Sequence, residues 1–448
     1  MQEKATRIEL GRIDTPQMRA FHLSWMAFFV CFFAWFGIAP LMPIIRDDLG
    51  LTRDQVGWTI IASVSITFVA RLTIGWLCDR IGPRLTYTAL LVFGAFPVMG
   101  VALADDFASF LVFRLLIGVI GAGFVITQVH TSLMFAPNCV GTANATTAGW
   151  GNLGGGVTQL AMPLLLATLV GSFGLSESVG WRLTMVATGL LCLLMAGIYY
   201  RFTQDTPEGN LLALRRAGQH PPRGSSGGGF LDAARDGRVW VLFFAYAICF
   251  GIGLTIANVS ALYFLDNFAF FHSLERFEAL QAAGLIAGGF GMMNLFARSL
   301  GGYVSDRIAL WKGSEGRVRV LFGALFLEGC ALMLFSQITA LAAAVGMLLI
   351  FALFNHMAAG VIFSIVPFVN RRVLGPVAGI VGAGGNLGGI ASAFLFKADI
   401  DWAQSMFALG VVVTAGSVAS LLLRIEAAGD SELAVTLESS VRAKSASV

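Results

Sequence analysis

Long apolar runs alternate with short polar breaks along nearly the whole chain. The runs fall at about residues 21–41, 54–76, 86–104, 108–133, 146–170, 182–202, 238–265, 278–304, 318–337, 341–366, 374–397 and 402–424. Most reach the ~20 residues that carry a helix across a ~30 Å hydrocarbon core. The pattern predicts an all-α membrane protein of twelve transmembrane helices in two six-helix halves. The expected organisation is an N-terminal segment (1–20), a first half (21–202), a linker (203–237), a second half (238–425) and a tail (426–448). The linker starts with QDTPEGN; its later part, RRAGQHPPRGSSGGG, reads as flexible from its Gly, Ser and Pro content. The tail beyond Leu423 is expected to be disordered. Met1 to Arg19 is polar and the first apolar run is a full span, so no cleavable signal peptide is read.

Composition agrees with this class. The 448 residues are 57% hydrophobic and 12% charged, with mean hydropathy +0.79, whereas soluble domains are about 25% charged. Lysine and arginine divide 21 against 5 between the alternate loops. By the positive-inside rule both termini are cytoplasmic, and the protein belongs in the cytoplasmic (inner) membrane. The net charge of +3 is this loop bias and implies no nucleic-acid partner. The six cysteines show no paired spacing, and most lie in apolar runs, where cysteine behaves as a small hydrophobe. No metal set, cofactor motif or nucleophile–base pair is visible, which speaks against an enzyme.

One motif occurs in both halves. RLTIGWLCDR begins at Arg71 and RSLGGYVSDR at Arg298; each has glycine at +4 (Gly75, Gly302), aspartate at +8 (Asp79, Asp306) and arginine at +9 (Arg80, Arg307). With the aspartate at the cytoplasmic boundary, eight residues of helix place the first arginine ~12 Å deep, near the midplane of the hydrocarbon. A charge there is costly and marks a functional site by default. Asp79, Arg80 and Arg84, with Asp306 and Arg307, are expected to form gating loops. Arg114, in RLLIGVIGAGF, either snorkels outward or takes part in charge coupling.

A second pair consists of GWGNLGGG and GAGGNLGG. The first carries Gly149, Gly151, Gly154, Gly155 and Gly156 around Asn152; the second carries Gly382, Gly384, Gly385, Gly388 and Gly389 around Asn386. In a bilayer such glycines permit close helix contact, and each amide offers two donors. GNLGGG lies within an apolar run without the preceding strand that a dinucleotide fold requires. Tyr246, eight residues into the seventh run, and Phe250 one turn on share a face at similar depth. His130, His356 and Glu328 lie within apolar runs; each is a candidate for proton coupling or for a structural role.

Arginine presents a planar, permanently charged fork of donors that matches planar oxyanions bidentately. Two such forks with glycine-rich walls suit a small monovalent oxyanion better than a sugar or a larger drug. The residues therefore point to a transporter of such an anion.

Several of these motifs also resemble a known family. GWLCDRIGPR and RLLIGVIGAG are similar to the loop and fourth-helix motifs of the major facilitator superfamily. GWGNLGGG, GAGGNLGG, QDTPEGN, FGMMNLFARSLGGYVSD and VPFVNRR resemble its nitrate/nitrite porter family, over about residues 25–425. The resemblance implies inverted three-helix repeats within each half and alternating access to a central site. It implies that Arg71 and Arg298 clamp nitrate or nitrite, that Asn152 donates to it with Asn386 as symmetric counterpart, and that Phe124, Tyr246 and Phe250 wall the pocket. Gly253 stands where many assimilatory members carry an acid, and His356 where glutamine is common, so the coupling ion stays open. Proton-coupled nitrate uptake for assimilation is the favoured expectation. Nitrate/nitrite antiport, transport of another small anion such as formate or cyanate, and a non-transporting nitrate sensor are the alternatives. The expected partners are nitrate or nitrite, the lipid bilayer and protons, and a monomer contains both halves of the site.

Overall fold

In the computed structural model, residues 3–218, 229–274, 276–397 and 401–425 are described. The expected disordered tail and most of the Gly/Ser-rich linker lie outside them. The spanning helices are α1 (Pro16–Phe36), α2 (Arg53–Ile81), α3 (Pro83–Gly100), α4 (Phe107–Met134), α5 (Val140–Phe173) and α6 (Glu177–Phe202). The seventh, α7, runs through Gly237–Tyr246, a π-turn at Ala247–Gly251, and Ile252–Asn267. Then comes one apolar stretch, Ala282–Phe335, of 54 residues. As one helix it would be ~80 Å long, more than twice the hydrocarbon core. It breaks at Gly313 (φ 61°, ψ −160°) into α8 (residues 282–312) and α9 (residues 314–335). The chain continues with α10 (Leu341–Val369), α11 (Leu374–Lys397) and α12 (Trp402–Leu422). Eleven long apolar segments thus give twelve crossings among the described residues.

Local chemistry sets many of the helix starts. Thr15 caps α1 ahead of Pro16. Thr52 and Gln55 form a reciprocal capping box at α2, and Asp106 and Ser109 do so at α4. Ser176 caps α6 and Asp401 caps α12. Gly82 takes φ 91° to allow the turn from α2 into Pro83.

The chain folds as two compact units. The first comprises Met1–Lys4, Glu9–Met134 and Trp150–Gly227; the second comprises Ala5–Ile8, Phe135–Gly149 and Gly228–Val448. In the first unit, Thr67 on α2 donates to the Gly118 carbonyl of α4 at 2.6 Å. A Cβ at Gly118 would collide with the Ser63 carbonyl, so this residue lets α2 and α4 touch. At the start of α6, the Asp48 carboxylate accepts from Trp181 at 3.0 Å and pairs with Arg182 at 2.5 Å.

The linker is partly ordered within the first unit. Asp205, of QDTPEGN, accepts from the Arg84 amide at 2.8 Å and from the Leu211 amide at 2.9 Å. Burial raises this carboxyl above its ordinary pKa, and those two hydrogen bonds oppose the shift. Arg215, at the start of the stretch expected to be flexible, donates to the Asp79 and Arg80 carbonyls at 2.9 and 3.0 Å. That expectation therefore fails at Arg215, because the guanidinium finds fixed carbonyl acceptors.

In the second unit, Asp306 accepts from the amide and hydroxyl of Thr142 at 2.6 and 2.8 Å and pairs with Arg317 at 2.6 Å. A carboxylate at the N-terminus of α5 meets the positive end of the helix dipole. Arg317 also donates to the Pro137 carbonyl at 3.1 Å. Asp306 and Arg317 are 3% and 1% exposed, so the pair is fully buried. Arg307, grouped with Asp306 from sequence, is instead exposed and bonded to Tyr303; the charge that completes the cluster is Arg317. Removing one partner of a buried pair strands the other charge. Arg317→Ala is therefore expected to cost about 3–5 kcal/mol of stability, read as a lower melting temperature of the purified protein in lipid nanodiscs.

Candidate functional site

In the first unit the site centres on Arg71, 1% exposed on α2. Its Cζ lies 5.4 Å from the centroid of the Phe124 ring on α4, within cation–π range. Phe124 is itself buried and leans on Phe28 of α1 with centroids 5.6 Å apart. The glycine motif of α5 faces α1: a Cβ at Gly151 would strike the Phe28 ring, and one at Gly154 the Phe29 carbonyl. Gly155 lies against Phe36. Gly156 is exposed with nothing near it, so the expected helix contact is absent there. Asn152 is half-buried between these glycines. Arg80 stacks on Trp76 and Arg84 on Tyr200, at 4.9 and 4.1 Å.

In the second unit Arg298 is 0% exposed on α8, and its Nη2 donates to the Tyr246 hydroxyl at 3.3 Å. Tyr246 stacks on Phe250 across the π-turn, with centroids 5.0 Å apart and planes 8° from parallel. Phe363 meets Tyr246 edge-on at 5.1 Å. The glycine motif of α11 is the floor of this arrangement. A Cβ at Gly384 would collide with the Phe243 carbonyl and one at Gly388 with the Ala247 carbonyl. At Gly385 it would come within 2.7–2.8 Å of Phe250 and Tyr246. Asn386, next in sequence, is 0% exposed, and neither its amide oxygen nor its nitrogen has a hydrogen-bond partner among the described residues. Gly149, at the start of the first glycine motif, belongs to this unit and lies against the Asn294 carbonyl. Gly389 contacts Leu254, and Gly382 is buried.

The three titratable candidates sit in different settings. His130 is held at both ring nitrogens: Nε2 donates to the Gln204 carbonyl at 2.7 Å, and Nδ1 pairs with the Tyr199 hydroxyl at 2.5 Å. These partners make it an anchor for the linker. His356 Nε2 lies 3.1 Å from the Phe290 carbonyl and 3.3 Å from the Asn294 amide, fastening α10 to α8. Glu328 is 0% exposed and accepts from Asn355 at 2.8 Å. Asn355 and Arg317 were missed from sequence; a polar residue within apolar α10 was the available signal for the first, and a second loop arginine close to the SDR motif for the second. Arg114 is 7% exposed, with Nε and Nη1 unpartnered among the described residues.

In each unit the motif arginine, Arg71 or Arg298, is thus buried against aromatic residues. Twelve membrane crossings with such charged centres define a membrane transporter rather than an enzyme. The chain matches the Major Facilitator Superfamily model over residues 24–393. It is 38% identical to high affinity nitrate transporter 2.5 of Arabidopsis thaliana, over 88% of this chain and 77% of that one. It is 27% identical to the nitrate/nitrite transporter NrtP of Nostoc punctiforme, over 86% and 87%. In fold it is similar to the proton:xylose symporter XylE (TM-score 0.67, 13% identity, 90% of this chain and 94% of that one). It is equally similar to FucP in the outward conformation (TM-score 0.67, 14% identity, 90% and 98%). The chain belongs to the major facilitator superfamily and, within it, to the nitrate/nitrite porter family.

The glycine floor gives a direct test. In Gly388→Leu the added side chain meets backbone rather than a movable side chain, so α11 cannot seat on α7. Overpacking of this kind costs about 1–3 kcal/mol or more, and a lower melting temperature with loss of monodisperse protein on size exclusion is expected.

Proposed function

We propose that this protein carries nitrate, and nitrite beside it, across the cytoplasmic membrane by alternating access, with both termini cytoplasmic. The observation that carries the reading is the matched pair of fully buried arginines, Arg71 and Arg298, each set against aromatic rings. The relatives named as nitrate transporters supply the substrate. Each guanidinium donates to the planar anion, and Asn152 and Asn386 add amide donors. Phe124, Tyr246 and Phe250 exclude water and shape the pocket. The unpartnered Asn386 amide supports this role: a buried donor without an acceptor is costly, and a bound anion supplies the acceptor. Asp79, Arg80, Arg84, Asp306 and Arg307, which lie in the terminal turns of α2, α3 and α8 rather than in loops, take part in gating access.

Uptake is coupled to protons in this reading. One nitrate leaves a two-arginine site with a net positive charge, and an empty site leaves two desolvated cations; a titratable group that changes charge during the cycle relieves this. With its ring nitrogens already engaged, His130 serves structure rather than coupling.

Proteoliposomes test both parts. Labelled nitrate is expected to enter buffer-loaded vesicles when a proton gradient points inward. Entry only with nitrite inside would mean exchange, and no entry under either condition would refute nitrate as substrate. Arg71→Lys and Arg298→Lys keep the charge but lose the fork. Losing a charge-assisted hydrogen bond of ~1.5–3 kcal/mol is expected to cut nitrate affinity roughly 10- to 100-fold in protein that still folds. Normal uptake by either variant would refute the clamp.

A further inference from the structure

A buried carboxyl in the second unit is wired to the same helix turn that carries the aromatic wall of Arg298. Glu328 sits in α9, eleven residues or ~16 Å of helix beyond Arg317. Its Oε1 accepts from Asn355 Nδ2 on α10 at 2.8 Å, and the same nitrogen donates to the Cys249 carbonyl at 2.7 Å. Cys249 lies within the π-turn Ala247–Gly251, bracketed by Tyr246 and Phe250. π-Turns interrupt the regular helix ladder and recur at functional sites. Glu328 Oε2 has no hydrogen-bond partner among the described residues. Gly253 leaves the space for this relay, since a Cβ there would collide with the Asn355 amide.

The groups around the carboxyl make it an unusual one. From α7 the Cys249 carbonyl shares the Asn355 amide with the carboxyl. From α10 come Asn355 and His356, the latter with its ring fastened to the Phe290 carbonyl. From α12, Thr414 faces the adjacent Gly329. No described lysine or arginine pairs with Glu328 at ion-pair distance. Arg298 is the buried cation of the neighbouring helix α8, reached from the carboxyl through Asn355, the Cys249 carbonyl and Tyr246.

We propose that Glu328 is the proton-binding group that couples to anion binding at Arg298, through Asn355 and the π-turn of α7. This rests on the nitrate reading above. When the anion leaves, ionised Glu328 supplies negative charge toward Arg298 and its proton is released. When the anion binds, it takes over that role, and the carboxyl takes up one proton to become the neutral acid. Anion and proton therefore bind with positive coupling, and linkage makes the coupling reciprocal. Asn355 carries the change mechanically, because the pull of the carboxylate on its amide alters the hold of that amide on the Cys249 carbonyl.

The test is nitrate binding to the purified full-length protein in nanodiscs across pH, with proton uptake followed by an indicator dye. Nitrate affinity is expected to rise roughly 5- to 100-fold as pH falls through the titration of Glu328, with about one proton taken up per nitrate. In Glu328→Gln, affinity should become independent of pH and proton uptake should cease. Asn355→Leu should weaken the pH response while leaving Glu328 in place. If wild-type protein binds nitrate without taking up a proton, the proposal fails, whether or not the variants fold. If the pH response survives Glu328→Gln and disappears in His356→Gln, the proton site is His356 and the proposal fails. If sodium rather than protons sets the affinity, it fails as well. Wild-type protein that binds no nitrate at any pH would overturn the nitrate reading itself.

Discussion

An arginine that cannot lose its charge, placed where the surrounding solvent is hydrocarbon, constrains everything near it. Such a residue is tolerated only when the protein supplies the polar or π-face contacts that lipid cannot. Arg71 has the face of Phe124, and Arg298 has the Tyr246 hydroxyl. Those aromatic residues are fixed in turn, Phe124 by Phe28 and Tyr246 by Phe250 and Phe363. Each ring needs a helix pressed close behind it. The two glycine motifs provide that approach, with α5 against α1 in one unit and α11 against α7 in the other. In both units, loss of a glycine would open the aromatic wall and leave the cation worse solvated.

The same logic extends to the ends of the helices. Asp306 is a buried anion whose neighbours are the Thr142 amide in the first turn of α5, the Thr142 hydroxyl and Arg317. Asp205 is a buried anion satisfied by two backbone amides, one at the start of α3 and one at the start of the short helix Leu211–Arg216. Both carboxylates sit at helix N-termini, where the dipole favours negative charge. Two of the buried carboxylates thus lie where helices begin, and the dipoles there hold them.

Much of this was readable from the chain. Twelve crossings follow from run length, the deep arginines from the spacing Arg71 to Asp79 and Arg298 to Asp306, and the close approaches from the glycine clusters. These are local signals, set by helix geometry over two or three turns. Partners far apart in sequence were not readable. Thr142 and Asp306 are 164 residues apart, and Asn355 and Cys249 are 106 apart. Arg317 counted only as one more loop charge, and Arg307 took its place because it lies within the motif. The π-turn of α7 had no signature either, since its residues, Ala247–Gly251, are ordinary for an apolar helix. Gly156 shows the opposite error: a motif glycine that faces open space, because the glycine run is longer than the contact it serves.

The central proposal is that Arg71 and Arg298 both bind one small planar anion. Calorimetric titration of nitrate into the purified protein measures this most directly, with nitrite, sulfate and phosphate as competitors. The account predicts one nitrate per chain, displaced by nitrite and little affected by the tetrahedral dianions. Two independent nitrates per chain, or sulfate competing as well as nitrite does, would contradict it.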